Sequence, residues 1–382
     1  MTEKIYYDDP HISRFTARVT ECAPEGENYG IVLDRTAFFP EEGGQCCDKG
    51  TLAGMEVLHV SIKNGIIKHI CKDPLAPGSE VEGEIDHALR FDKEQQHSGE
   101  HILSGLANSL YGCTNVGFRL ASDITTLDFD KPLSPKEIAD LEKKANEVVY
   151  RNLPVKCWFP PADELEKMEY RSKIELTEDV RIVEIPGVDT CACCAPHVDF
   201  TGQIGVIKVI RHEAWKGGVR LTILCGNRAF EHFSKALTTL DTLTKLCSAG
   251  LDSICDAVKD IKDKQVKAEA EKNKAETLLL EARIRQAAEG TAASPIVIFT
   301  PSCDTRNVRN AINNANSSDR LCAVFAGAEG SYNFIVECKK GGLKTVLENL
   351  RKTLNAKCGG SDTMLQGTIT AEPKAILELF KD

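Results

Sequence analysis

Two histidines stand four positions apart in Gln96-His97-Ser98-Gly99-Glu100-His101. On a helix, that spacing puts both imidazoles on one face about one turn apart, as metal chelation requires. Further on comes Cys191-Ala192-Cys193-Cys194-Ala195-Pro196-His197, in which Cys193 and His197 form a second pair. A His pair and a Cys/His pair together make a tetrahedral zinc set. Either pair alone is weak evidence, because helix histidines and buried cysteines are common core residues. Cys191 and Cys194 also form a C-x-x-C, so spacing alone leaves the thiolate open.

These residues need elements to carry them. From Asp92 the pattern turns helical, with Ile102, Leu103, Leu106 and Leu110 on one stripe and Asp86 or Asp92 as the cap. Ser134-Pro135-Lys136-Glu137 opens a second helix, with Ser as cap, Pro first and Glu third. Strand-type runs fall at 125–129, 180–185, 205–210 and 219–225. Upstream, 15–19, 31–33, 57–62, 66–70 and 81–85 are short strand-type runs broken by turns such as Asn64-Gly65 and Pro77-Gly78, the pattern of a small barrel. From 227 to about 289 the chain is charged, helix-forming and nearly free of Gly and Pro, with Gly250 marking a break. It reads as a solvated long helix or helical hairpin, with a dimerising coiled coil as the alternative. Residues 291–382 alternate strands and helices again.

The expected fold is therefore α+β and multidomain: a small β-barrel over 1–88, an α+β zinc-binding domain over 89–226, a long helix or helical hairpin connector over 227–290, and a small α/β domain over 291–382. The 382 residues include 47 Lys+Arg and 57 Asp+Glu, a net charge of −10, with 42% hydrophobic residues. That balance excludes a disordered chain and a highly basic nucleic-acid coat. No apolar run is long enough to span a membrane, and the first residues contain no signal-type apolar stretch. The 16 cysteines, with adjacent pairs at Cys46-Cys47 and Cys193-Cys194, fit free thiols in a reducing cytoplasm better than a disulfide scaffold.

The two metal motifs resemble the editing domain of alanyl-tRNA synthetases, and still more the free-standing alanyl-tRNA editing proteins of the AlaX family. Thr36-Ala37-Phe38-Phe39-Pro40-Glu41-Glu42-Gly43-Gly44-Gln45, with Asp48 and Gly50, is similar to the family's glycine-rich motif. Thr201-Gly202-Gln203-Ile204-Gly205 and Gly217-Gly218-Val219-Arg220 are similar to the segments after the metal cysteine. By register, the resemblance implies a zinc site of His97, His101, Cys193 and His197. The synthetase version has Gly-Gly-Thr between Cys and His, where this chain has Cys194-Ala195-Pro196. Residues 291–382 resemble the C-terminal domain of the long-form proteins, through Gly359-Gly360-Ser361-Asp362.

The resemblance implies a trans-editing hydrolase that cleaves the ester joining Ser or Gly to alanine tRNA, with Zn2+ as cofactor and mischarged alanine tRNA as partner. Thr36 matches the residue that reads the serine hydroxyl, and Gln45 is a second polar contact in the same loop. Gly43 and Gly44 permit a tight turn or let backbone approach the aminoacyl end. Gly359 and Gly360, with Lys339 and Lys340, are tRNA-binding candidates. The helical segment or the C-terminal domain offers a surface for a homodimer. The alternative is a non-catalytic zinc-containing tRNA-binding protein. A phosphoesterase is disfavoured because no Asp-His-His motif is present. A whole synthetase is disfavoured because the chain begins directly with the barrel.

Overall fold

The computed structural model describes residues 2–172, 180–290, 294–301, 303–317, 319–328 and 330–381. The chain divides into two compact units, Met1–Thr239 and Leu240–Asp382.

The first unit opens with a seven-stranded antiparallel sheet. Its order is Met55–Glu56, Gly50–Leu52, Glu80–Ile85, Arg14–Glu25, Asn28–Leu33, Ile66–Cys71, His59–Lys63. Alternation explains it: in Glu80–Ile85 every second residue (Val81, Gly83, Ile85) is buried and the glutamates between them face out. Among the described residues no ladder joins the two ends of this sheet, so the strands expected to close a small barrel form an open sheet. Phe38 and Phe39, just before the glycine-rich turn, are buried in its core with Tyr6 and Phe15.

The sheet runs directly into helix α1, His87–Tyr111, which starts five residues before Asp92. Asp86 is the cap: its side chain accepts from Leu89 N at 3.0 Å. Gly112, in a left-handed conformation, ends the helix. Helix α2, Pro135–Tyr150, has the expected capping box, with Glu137 N donating to Ser134 Oγ at 3.3 Å and Ser134 N to Glu137 Oε2 at 2.7 Å. Both helices contribute to one core with a four-stranded antiparallel sheet, ordered Asn115–Leu120, Thr125–Phe129, Gly218–Cys225, Ile207–Trp215. A smaller sheet of Lys156–Trp158, Ile182–Ile185 and Asp189–Ala192 leads into the Cys193–His197 loop.

In the second unit a five-stranded sheet is ordered Ile296–Thr300, Cys322–Ala328, Ser331–Glu337, Met364–Thr370, Lys357–Gly360. Only its first pair is parallel. One face packs on the helix Thr305–Ala315 and on Leu280 and Ile284, near the end of the long helix Ile254–Ala288. The other face is covered by Leu343–Leu354 and by Ile376 of the last helix. The expected helical segment is broken where Gly250 stands, between Gly226–Cys247 and Ile254–Ala288. Its last turns belong to the core of the second unit. No described helix is long and apolar enough to cross a membrane.

Candidate active site

Helix α1 presents His97 and His101 on one face, and the loop after Asp189–Ala192 brings Cys193 and His197 to them. One donor atom from each of these four residues lies within 4.8 Å of the other three. Cys193 Sγ is 3.5 Å from His97 Nε2 and 3.4 Å from His197 Nε2. A tetrahedral zinc, with bonds of about 2.3 Å to sulfur and about 2.0–2.1 Å to nitrogen, demands S···N edges of about 3.5 Å. His101 Nε2 is buried and has no hydrogen-bond partner. An orphaned imidazole nitrogen facing a thiolate and two more imidazoles is what a metal would satisfy.

The far side of each ring explains why Nε2 faces inward. His97 Nδ1 meets Gln45 Oε1 at 2.7 Å, His101 Nδ1 meets Asp189 Oδ2 at 2.8 Å, and His197 Nδ1 meets Ser98 Oγ at 3.1 Å. All three partners accept, so each ring carries its proton on Nδ1 and turns the Nε2 lone pair into the cluster. Asp189 is itself gripped by Arg171 through two bonds of 2.7 Å. Gly105 makes this possible. A Cβ there would stand 2.3 Å from the carbonyl oxygen of Val188, so only glycine lets the Asp189 hairpin lie against α1 one turn beyond His101.

The cysteine loop is fastened twice. Ser98 Oγ accepts from Val198 N at 3.3 Å, and buried Arg181 donates to the carbonyls of Cys193 and Ala195 at 3.2 and 2.7 Å. Geometry separates the three thiols that spacing left open. Cys193 joins the four-residue set, Cys191 lies with His101 and Asp189, and Cys194 Sγ lies beside Gly43. Burial alone would push the Cys193 thiol up, but the His97 and His197 imidazoles outweigh it and hold the thiol well below its usual range. Burial holds His197 down to about 3, so it stays neutral. Burial also opposes charge on His101, yet the Glu100 and Asp189 carboxylates hold that ring well above its ordinary value. A bound cation would take the place of that proton.

His97, His101 and Cys193 of the cluster lie on one wall of a cavity of about 570 Å³, also lined by Glu42, Gly43, Gly44, Glu100 and Phe118. That size is in the range of small-molecule sites. Gly43 and Gly44 have φ of 63° and 85°, and a Cβ on Gly44 would stand 2.5 Å from the Phe118 carbonyl oxygen, so the turn closes against Asn115–Leu120. Gln45 is buried and orients His97 instead of lining this cavity. Thr36 is fully buried and is not among the described lining residues. Its hydroxyl meets His69 Nε2 at 2.8 Å and accepts from Phe38 N at 3.1 Å. His69 Nδ1 donates to the Ile31 carbonyl at 3.1 Å, and burial lowers its pKa to about 4, so the Thr36 proton points to His69.

In the second unit, Gly359 and Gly360 lie on the edge strand, beside a hollow of about 330 Å³ shared with Arg309 and Gln366. Lys339 Nζ donates to the Asn316 carbonyl at 2.7 Å, and Lys340 pairs with Asp319 at 3.1 Å. Asp189, Ser98, Arg171 and Arg181 were not foreseen. Ser98 had the signal of adjacency to His97, whereas the other three lie outside both motifs.

Residues 180–221 match the family model for the threonyl and alanyl tRNA synthetase second additional domain, and residues 2–89 match that for class II (A) tRNA synthetases. The chain is 27% identical over 400 residues to the alanyl-tRNA editing protein Aarsd1 of Mus musculus, covering 97% of this chain and 96% of that one. It is 25% identical over 401 residues to the alanyl-tRNA editing protein AlaX-L of Pyrococcus horikoshii, covering 99% and 97%. Identity reaches 34% over 246 residues with Aarsd1-B of Xenopus laevis, covering 63% and 59%. The likeness to alanyl-tRNA editing proteins, AlaX-L among them, runs nearly end to end, through both compact units.

Proposed function

We propose that the chain is a trans-editing hydrolase that deacylates mischarged alanine tRNA, Ser-tRNA(Ala) and/or Gly-tRNA(Ala), at a zinc-containing site. The observation that carries this reading is the set of His97, His101, Cys193 and His197, of which His97, His101 and Cys193 line a ligand-sized cavity. The relatives that match nearly end to end are named alanyl-tRNA editing proteins, which supports tRNA as the partner.

His97, His101, Cys193 and His197 would hold the zinc, which when bound supplies Lewis acidity toward a carbonyl oxygen. Gln45, Asp189 and Ser98 keep the imidazoles turned inward. The Gly43-Gly44 turn puts backbone on the cavity wall where a side chain would fill the space. Phe118, 4.5 Å from the His97 ring between centroids, gives the cavity an apolar side that excludes water around the acyl group. Gly359, Gly360, Lys339 and Lys340 belong to the proposed tRNA-binding surface of the second unit. A homodimer through the helical segment is supported by exposed Val258, Ile261 and Val266. All 16 cysteines are free, which supports a reducing cytoplasmic setting.

The test is deacylation of Ser-, Gly- and Ala-charged alanine tRNA with and without a chelator. Hydrolysis of Ser- or Gly-tRNA that the chelator abolishes, with Ala-tRNA spared, is expected. Zinc and tRNA binding without deacylation would replace the enzyme with a binding protein.

A further inference from the structure

Arg181 joins the metal loop to an aromatic part of the same cavity. It holds the Cys193 and Ala195 carbonyls, and its guanidinium carbon lies 5.1 Å from the centre of the Tyr7 ring. Tyr7 packs edge-on against Phe159, with centroids 5.3 Å apart, and both rings line the cavity. Fully buried Tyr6, 4.7 Å from Tyr7, ties that ring to the core of the first sheet. Phe159 follows the strand Lys156–Trp158 and stands directly before Pro160-Pro161. A residue before proline is confined to extended backbone, so stiff chain on both sides places this ring. Yet 46% of Phe159 is exposed. A fixed aromatic ring on a concave wall, with nearly half its surface uncovered, is a platform for stacking.

Two polar groups beside these rings narrow the ligand. Glu42 lies on the same wall, with its Oε2 buried and without a hydrogen-bond partner among the described residues. Its charge pushes the Tyr6, Tyr7 and Cys194 protons toward higher pKa, which places it at the Tyr7 end of the cavity. A buried carboxylate oxygen without a donor costs free energy, and a ligand hydroxyl would satisfy it. Lys4 Nζ lies 5.5 Å from the Tyr7 ring centre, and among the described residues it forms no ion pair. An aromatic platform, a hydroxyl acceptor and an unpaired cation side by side match the base, sugar and phosphate of a nucleotide. A purely apolar ligand would leave Glu42 and Lys4 unanswered.

We propose that this end of the cavity is a nucleoside subsite, in which the base at the 3′ end of the tRNA stacks on Phe159 and Glu42 accepts the ribose hydroxyl next to the ester. This rests on the proposed function. The ester occupies one of two vicinal hydroxyls, so the other remains free to donate. With the acyl group at the His/Cys set, the base stands one sugar further along the wall. Cys193, Arg181, Tyr7 and Phe159 follow one another in that same order. A carboxylate that accepts this hydroxyl also separates ribose from deoxyribose.

The test uses the full zinc-loaded chain and three hydrolysis-resistant amides: 3′-deoxy-3′-(L-seryl)aminoadenosine, the same amide on a sugar without a base, and the 2′-deoxy form of the adenosine compound. Dissociation constants are read by calorimetry. The wild type is expected to bind the adenosine compound about 5- to 150-fold more tightly than the baseless one, the usual range for one stacked base. Phe159→Ala should erase that difference and Phe159→Trp should keep it. A 2-aminopurine version should lose fluorescence on binding the wild type but not Phe159→Ala, which a merely structural ring would not produce. Glu42→Ala should erase the preference for the ribose over the 2′-deoxy compound and keep the preference for the base. Equal binding of the adenosine and baseless compounds by the wild type overturns the subsite while the editing reading stands, a result that needs no variant to fold. Binding of none of the three overturns the editing reading and this inference with it. A base preference that survives Phe159→Ala overturns the assignment to Phe159. A hydroxyl preference that survives Glu42→Ala, or is absent from the wild type, overturns the assignment to Glu42.

Discussion

The Nδ1–H of His101 donates to Asp189 at 2.8 Å, while Arg171 clamps the same carboxylate from its other side. Asp189 thus sets the tautomer of His101, and Gln45 does the same for His97. Asp189→Asn and Gln45→Leu are expected to lower zinc affinity by about 10- to 100-fold, the usual effect of removing such a partner. Competition with a chromogenic chelator measures it. Unchanged affinity in both variants would leave these residues with only a packing role.

One zinc per chain is expected, held through Cys193. Metal analysis of Cys193→Ala beside Cys191→Ala and Cys194→Ala checks this, with zinc lost in the first only. Loss in the Cys191 variant alone would move the site to the neighbouring His101, Asp189 and Cys191 group.

Thr36→Val tests whether the hydroxyl reads substrate or supports the fold. With its proton on buried His69, removal strands His69 Nε2 and is expected to cost about 1–3 kcal/mol of stability. Deacylation of Ser-tRNA and Gly-tRNA should then fall together. A fall confined to Ser-tRNA would show that the hydroxyl contacts the serine side chain.

A chain ending at Thr239 keeps the first unit whole, including the Arg228–Asp92 pair at 2.7 Å. It should hydrolyse at saturating tRNA with a raised KM. An unchanged KM would remove tRNA binding from the second unit.

His11 bridges Glu94, at 3.4 Å, and Asp199, at 3.0 Å. The Glu94 hydrogen bond raises its pKa from 6.5 to about 9, with burial opposing. A pKa raised in the folded state stabilises fully below pH 6.5, and that contribution is lost as pH rises through 9. Urea midpoints taken across this window should fall more steeply for the wild type than for His11→Gln. Parallel curves would assign the pH dependence to other groups.

Much of this was legible in the sequence wherever the information was local. The His97/His101 spacing and the Ser134–Glu137 box are each complete within one or two helical turns, and both appear as read. Spacing did not separate Cys191, Cys193 and Cys194, because the distinction depends on which side chain the loop turns toward α1; the family register named Cys193, the thiol that lies with the three histidines. Asp189 and Gln45 meet their histidines across 88 and 52 positions, contacts that no local pattern encodes. Gln45 was found for its polarity but orients a ring instead of lining the cavity. The start of α1 moved to His87 because Asp86, not Asp92, offers its side chain to an unpaired amide.

His97 and His197 stand 197 − 97 = 100 positions apart, on a helix and on a loop. A cation shared by them would be held by the folded arrangement alone, because the unfolded chain scatters its donors. By mass action, free ion at 100 times its dissociation constant is then worth about 2.7 kcal/mol, a large fraction of a typical domain's stability. Zinc supply would then govern how many copies escape proteolysis, so scarcity of the ion would be felt first as a falling amount of protein.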